Sequence, residues 1–310
     1  MSIVDHLILG IALPTNPVQD HVAQDFETDI HSFPMNSWEQ LSTGLKCGDI
    51  NAAFVDVSLA MDLFDHELEL ALLMFTHRGG SRVIAPASTK RIGDFRGKSV
   101  LIPHSLSVQH MLLHKLMDAR GLHLKDAEGQ ENVRSETAYP SLMPQMMEQD
   151  HDGDIAAFMC PAPFGNAGIE DNTLKSLLNS QALWPNHPGS AFVVHKDLLK
   201  TQKQPLAELL KRFFQSAQAL EGCRQSDTLT HDSIPHLAGE FLKQPANKAV
   251  DTIRTTGVSF SPETLVPAPD LLDIVQSYMG GTMGVLKGTT DLDNFVKPTI
   301  AQTTLSELKR

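Results

Sequence analysis

Two near copies of one short run constrain the fold more than any other feature of the chain. Gly48-Asp49-Ile50-Asn51-Ala52-Ala53-Phe54 returns as Gly153-Asp154-Ile155-Ala156-Ala157-Phe158. In both, a Gly-Asp turn feeds an Ile, Ala, Ala, Phe strand whose small side chains let helices lie on both faces, the habit of a parallel sheet. The order strand, helix, strand, helix, Gly-Asp turn, strand, polar loop surrounds each copy. Two similar α/β lobes are therefore expected. With 310 residues the chain is too long for one comfortable core and suits two lobes of roughly 100 to 200 residues each.

The second block opens with Arg91 to Leu122, RIGDFRGKSVLIPHSLSVQHMLLHKLMDARGL. It reads as a charged turn at Asp94 to Lys98, an apolar strand at Ser99 to Ile102, a loop with two serines, and an amphipathic helix over Val108 to Ala119. Ser105 or Ser107 is placed to cap the helix, and Gly121 sits where it stops. The first turn of such a helix points free backbone N–H groups and the positive end of the helix dipole out of the carboxyl end of a strand, where small anions and polar ligands bind.

In chain order, strands are expected at His6 to Ala12, Asp29 to Phe33, Cys47 to Val57, Leu70 to Phe75 and Arg82 to Ala85. Helices are expected after the turn-rich Leu13 to Pro17, at Asn36 to Gly44 with Ser37 as a cap, and near Leu59 to Phe64. Glu136 to Gln149 has a proline-tolerant amphipathic pattern, Ser190 to Val194 is a returning strand, and Pro205 to Gly222 is a good amphipathic helix. The end from Ser259 onward reads as mostly helical with a break at Gly280-Gly281. Lobe one then comprises 1–86 and 190–310, lobe two comprises 87–189, and the two crossings near Pro86 and Ser190 form a hinge.

Composition narrows the function. The net charge of −12, with 25 basic against 37 acidic residues and no basic cluster, excludes nucleic acid and anionic membrane surfaces as expected partners. Cys47, Cys160 and Cys223 form no CxxC pair, so neither a zinc knuckle nor a disulfide framework is indicated. No window approaches the roughly 18 to 20 apolar residues of a membrane span. Met1 to Gly10 lacks the basic start of a secretory signal. A periplasmic location is expected if the chain is a trimmed mature form, and a cytoplasmic one if Met1 is the native start.

Four stretches together resemble a known family: LSTGLKCGDINAAFVD at Leu41 to Asp56, IGDFRGKSVLIPHSLSVQHMLLHKLMDARGL at Ile92 to Leu122, GDIAAFMCPAPFG at Gly153 to Gly165, and WPNHPGSAFVVHKDLL at Trp184 to Leu199. The chain is similar to the periplasmic substrate-binding proteins of the nitrate, sulfonate and bicarbonate ABC transporters, a group that includes NMT1/THI5-like proteins. The DFRGK run and the helix after it carry the most specific part of the match. The resemblance implies an α/β, two-lobed periplasmic-binding-protein fold, each lobe a mainly parallel sheet flanked by helices. It also implies a small-molecule ligand clamped between the lobes by loops at the carboxyl ends of the strands, and an ABC-transporter permease or a cytoplasmic regulatory partner to receive it. No cofactor, metal or catalytic residue is implied.

Carried over to this chain, the cleft is lined by Pro14, Thr15 and Asn16, by Asp56 and Ser58, by Ser105 and Ser107, and by Cys160, Pro161 and Pro163. Many relatives carry a Glu-Pro-Trp type sequence at the last of these loops, where this chain has CPAPFG. That departure removes an acid and an aromatic ring and argues against a nitrate-like or bicarbonate-like pocket. The adjacent cysteines of the fungal pyrimidine synthases of the group are also missing.

Each candidate has a plain alternative. Ser105 and Ser107 are ordinary helix caps if they touch no ligand. Thr15 and Asn16 serve a Pro-flanked turn equally well. Asp56 either binds a ligand amine or caps the next helix. His77 and Arg78 precede Gly79-Gly80 near the hinge; the Arg78 fork suits two oxygens of an anion, and an exposed hinge arginine is the alternative.

The pair His110 and His114 has metal-ligand spacing, with His104 close by, yet lacks an HExxH arrangement, and 14 histidines make such a pair expected by chance. Asp150 to Asp154, DHDGD, lacks the distal glutamate of a calcium loop and reads as a turn. Cys160 has no evident base nearby and reads as a small cleft wall. A lyase or dehydratase on the same fold, with His77, His104 or Asp56 as base, is the alternative to a binding protein.

Overall fold

The computed structural model describes residues 2–13, 21–22, 30–35, 37–66, 68–124, 132–226 and 233–310. Its strands are β1 (His21–Val22), β2 (His31–Ser32), β3 (Ala52–Asp56), β4 (Leu70–Phe75), β5 (Ser81–Pro86), β6 (Ser99–Ile102), β7 (His123–Leu124), β8 (Asn132–Thr137), β9 (Ile155–Pro161), β10 (Leu174–Asn179) and β11 (Ser190–His195). They form a three-stranded sheet in the order β3-β11-β4, a six-stranded sheet in the order β10-β5-β9-β6-β8-β7, and the small β1-β2 pair. The two Gly-Asp strands thus sit in different sheets, β3 in one and β9 in the other, as the repeat implied.

The larger sheet is mixed and the smaller one is antiparallel. β9, β6, β8 and β7 run parallel, while β5 is antiparallel to both β9 and β10. In the smaller sheet β11 runs antiparallel between β3 and β4. β11 is the returning strand, and its Ser190 pairs with Asp56. Because β5 already belongs to the six-stranded sheet, the chain changes sheets between Phe75 and Ser81, one strand before the expected crossing at Pro86.

Period-two alternation divides the buried side chains of the larger sheet. Val83, Val100, Ala157 and Met159 face helix α4 (Val108–Asp118) and join the main core, which runs on through β3, β4, β11 and the long helix Lys203–Gln225. Ile84, Leu101, Phe158 and Cys160 face the other way and pack with Met143, Met147 and Leu174.

The expected strand at His6 to Ala12 is instead one 3-10 turn, Val4–His6, followed by helix α1 (Leu7–Ala12). A short apolar run does not distinguish strand from buried helix. Here the neighbours decide: α1 packs on the helices Lys203–Gln225 and Ser233–Leu242, with Gly10 against the Phe241 ring, where a Cβ would come within 2.3 Å of Cδ2. Of the helix expected after Pro17, His21 and Val22 are strand and the remainder lies outside the described residues. The amphipathic pattern over Glu136 to Gln149 divides into the end of β8 and helix α5 (Met143–Gln149). That leaves α2 (Trp38–Cys47), capped by Ser37, and α3 (Val57–Asp65) close to their expected places. Gly280-Gly281 does not break the helix there; it lies in a wide π-helical turn, Ser277–Thr282.

Candidate functional site

The loops at the carboxyl ends of β3, β4, β6 and β9 meet between the two sheets. Asp56 ends β3 and is the N-cap of α3, where its Oδ1 accepts from Ser58 N at 3.1 Å and Ser58 Oγ at 2.7 Å. Its Oδ2 reaches the opposite lobe and accepts from Val108 N, the first residue of α4, at 3.2 Å. One carboxylate therefore satisfies free donors at the starts of two helices that belong to different sheets. Ser58 Oγ also approaches Leu106 O across the same boundary. Burial pushes the Asp56 carboxyl up to about 6, against the pull of Ser58 and of the Val108 amide.

Ser107 caps α4: its Oγ accepts from His110 N at 3.2 Å and donates to His104 O at 2.7 Å. It is buried, whereas Ser105 is exposed and contributes its carbonyl to His110 Nδ1 at 2.7 Å. Of the two serines, the structure brings Ser107 to the junction. His104 Nδ1 accepts from Leu106 N at 3.0 Å, which leaves the ring proton on Nε2, and burial holds the ring below the ordinary histidine range.

His77, just past β4, is buried with Nδ1 3.0 Å from Thr76 Oγ1 and Nε2 3.3 Å from Asp5 Oδ1. Burial keeps the ring well below its ordinary pKa, aided by the nearby His187, His6 and Arg78. Burial likewise raises the Asp5 carboxyl well above its usual value, and the Asp56 charge adds to this. Both partners are therefore driven toward their neutral forms. His77 lies on Gly189, where a Cβ would come within 2.4 Å of its Nε2, so the ring occupies space that a side chain would take.

Arg78 is buried, not exposed. It follows His77 in an extended bridge to Pro188 and Ser259, its Nε donates to Thr264 O at 2.7 Å, and its guanidinium stacks 4.1 Å over the Phe75 ring. Burial lowers it to about 10. Cys160 sits with the second core cluster, on the face of the sheet away from α4, and burial pushes its thiol up to about 12, far from a thiolate. Pro161, next along, is buried at the end of β9 opposite Ser81. Pro14, Thr15 and Asn16 lie outside the described residues.

The junction also contains residues that the sequence did not single out: Val4, Asp5 and His6. Val4 N donates to Ala162 O at 3.0 Å, and the His6 ring meets Phe54 edge-on at 5.8 Å. A charged pair in the middle of an apolar N-terminal run was the one available signal. Near α4, the His110 ring is taken by Ser105 O and His114 Nδ1 lies 3.0 Å from Tyr278 Oη. Asp150 accepts from Asp154 N and Ile155 N, closing the DHDGD turn. Among the described residues no group of His, Cys, Asp and Glu is arranged to hold a metal, and no helix is long and apolar enough to cross a membrane.

A family model described as the NMT1-like family matches residues 19–231, more than half of the chain. The chain belongs to the NMT1-like family. No curated protein matches it. Among solved structures, this family member is similar to the ligand-binding component of an ABC-type import system from Staphylococcus aureus with zinc bound, at TM-score 0.79 and 16% identity over 98% of this chain and 96% of that one. The periplasmic nitrate-binding protein NrtA of Synechocystis PCC 6803 matches at TM-score 0.79 and 13% identity, over 99% and 87% of the two chains. The alkanesulfonate-binding protein SsuA of Xanthomonas axonopodis pv. citri, bound to MOPS, matches at 0.65 and 14%, over 85% and 86%. At such identities the likeness establishes the fold, a two-lobed periplasmic-binding-protein architecture across nearly the whole chain.

Proposed function

We propose that this protein is a solute-binding protein that closes its two lobes on a small polar solute and presents it to an ABC-type importer or to a regulatory partner. The observation that carries this reading is the junction between the β3–α3 turn and the start of α4, where Asp56 and Ser58 of one lobe meet Leu106 to Val108 of the other. Groups that exchange hydrogen bonds across a hinge are the ones whose partners a solute can replace, and closure needs that differential contact. Asp56, Ser58, His77, Ser107 and Pro161 are the proposed lining.

Binding is favoured over lyase chemistry because the Asp5–His77 pair, the closest approach to an acid–base couple here, is sealed from solvent, with burial disfavouring both charged forms. The test is a thermal-shift and native mass-spectrometry screen over nitrate, bicarbonate, taurine, alkanesulfonates, pyrimidines and aromatic acids. A bound solute raises the melting point by mass action, and Ser58→Ala together with Ser107→Ala should abolish the shift. Turnover of a screened compound without any such shift would count against the reading.

A further inference from the structure

We propose that the N-terminal turn Val4–His6 is a built-in occupant of the interlobe site, which withdraws before a solute enters; this rests on the solute-binding reading above. The turn touches both lobes at the loops that would hold the solute. Its Val4 amide donates to Ala162 O, in the loop after β9, at 3.0 Å. Its Asp5 carboxyl lies 3.3 Å from His77 Nε2, past β4, and its His6 ring packs on Phe54 of β3. Val4 is fully buried and Asp5 is 3% exposed, so the turn is a filling and not a surface strap.

Two features distinguish this filling from permanent core. It is a single 3-10 turn, closed by bonds from His6 N to Ile3 O and from Leu7 N to Val4 O, before helix α1 anchors the chain on the helices behind the site. And it buries a carboxyl whose Oδ1 makes no well-aligned hydrogen bond, a costly group in an apolar setting. That uncompensated carboxyl lowers the free-energy cost of opening the turn. A site blocked most of the time binds more weakly by the fraction of time that it is open.

The test compares the full chain with a Val4→Gly/Asp5→Ala variant, which removes the packing and the carboxyl that seat the turn while keeping α1. Asp5→Asn serves as a milder second variant. Calorimetry uses nitrate, taurine, ethanesulfonate and a 4-aminopyrimidine as probes, and hydrogen exchange follows the amides of residues 3–7. Any probe that binds is expected to bind the double variant about tenfold more tightly and to speed exchange at 3–7 in the full chain. Equal affinities with unchanged exchange would overturn the proposal. If no probe binds either chain, the solute-binding reading fails for these solutes and exchange alone judges the turn. Opening of 3–7 ahead of Leu70–Phe75 then supports it, and opening together with that strand rejects it.

Discussion

Asp56 offers the sharpest quantitative test of the junction. Its carboxyl stands at about 6 in the folded protein against an ordinary value of 3.8. At about 1.4 kcal/mol for each tenfold change in proton affinity, ionising it in place costs the folded state about 3 kcal/mol. The folded value lies above the unfolded one, so between these two pH values the folded chain binds more protons. Stability from this group is therefore greatest below about pH 4 and is lost as pH rises to about 6. Asp56→Asn removes the titration. It also sets an amide N–H against either Ser58 or Val108, a penalty of about 1–3 kcal/mol that does not vary with pH.

The measurable quantity is the difference in unfolding free energy between variant and parent. It should shift in favour of the variant by about 2.5 kcal/mol from pH 4 to pH 7, because carboxylates common to both chains cancel. Losing the Asp56 charge also relieves Asp5, which adds in the same direction. Urea unfolding followed by the fluorescence of the 2 tryptophans would show a relative midpoint change of about 1 M for a slope of about 3 kcal/mol/M. Parallel stability curves for the two chains would refute the assignment of a buried, poorly compensated carboxylate at this position.

Further substitutions probe the supports of the site. Ser107→Ala removes the cap accepted from His110 N and should cost about 1 kcal/mol by thermal or urea unfolding. Leu113→Ala empties a fully buried position on α4 and should cost about 2–5 kcal/mol. Gly165→Ala forces a side chain onto a residue at φ 85 with a Cβ 2.6 Å from Ile84 Cδ1, so a loss well above 1 kcal/mol is expected in the same assay. Tyr278→Phe takes a hydrogen-bond partner from His114, 3.0 Å away, and should lower stability by about 0.5–1.5 kcal/mol.

What was legible in the sequence was what depends on near neighbours. Ser99 to Ile102, Ser107 with the helix behind it, and Ser37 with the helix Trp38–Cys47 are set by local capping and alternation, and these elements stand where the pattern put them. The repeated Gly-Asp strand disclosed two sheets because small residues between helix layers leave a compositional trace. Sheet membership left none. β5 reads as a strand in either lobe, and its pairing with β9 and β10 settles its place through residues far along the chain. The N-terminal run failed for the same reason: Leu7–Ala12 packs on the Phe241 ring and the long helix, both far along the chain, rather than adding to a sheet. At the site, Asp56 was legible as the cap of the next helix, the role it has on α3, whereas its reach to Val108 left no local trace. Which face Cys160 or Arg78 takes depends on register and on Thr264, nearly two hundred residues downstream.

The double role of Asp56 limits what a solute can do here. The helix start at Val108 was the natural anion site, and its first amide is already given to a carboxylate from the other lobe. A solute oxyanion entering there would have to displace Asp56 and face its charge in a site shut off from water, where like charges interact strongly. A solute offering N–H or O–H groups could keep the Asp56–Val108 contact and use the carboxylate's remaining lone pairs. Closure shifts only by the difference in affinity between the open and closed forms. The lobes' own contacts, Asp56 to Val108 and Ser58 to Leu106, already favour the closed form, so the donor-bearing solute gains from closure what the oxyanion loses. In the solute screen, then, donor-rich compounds such as aminopyrimidines should outbind nitrate, and Asp56→Asn should narrow that preference.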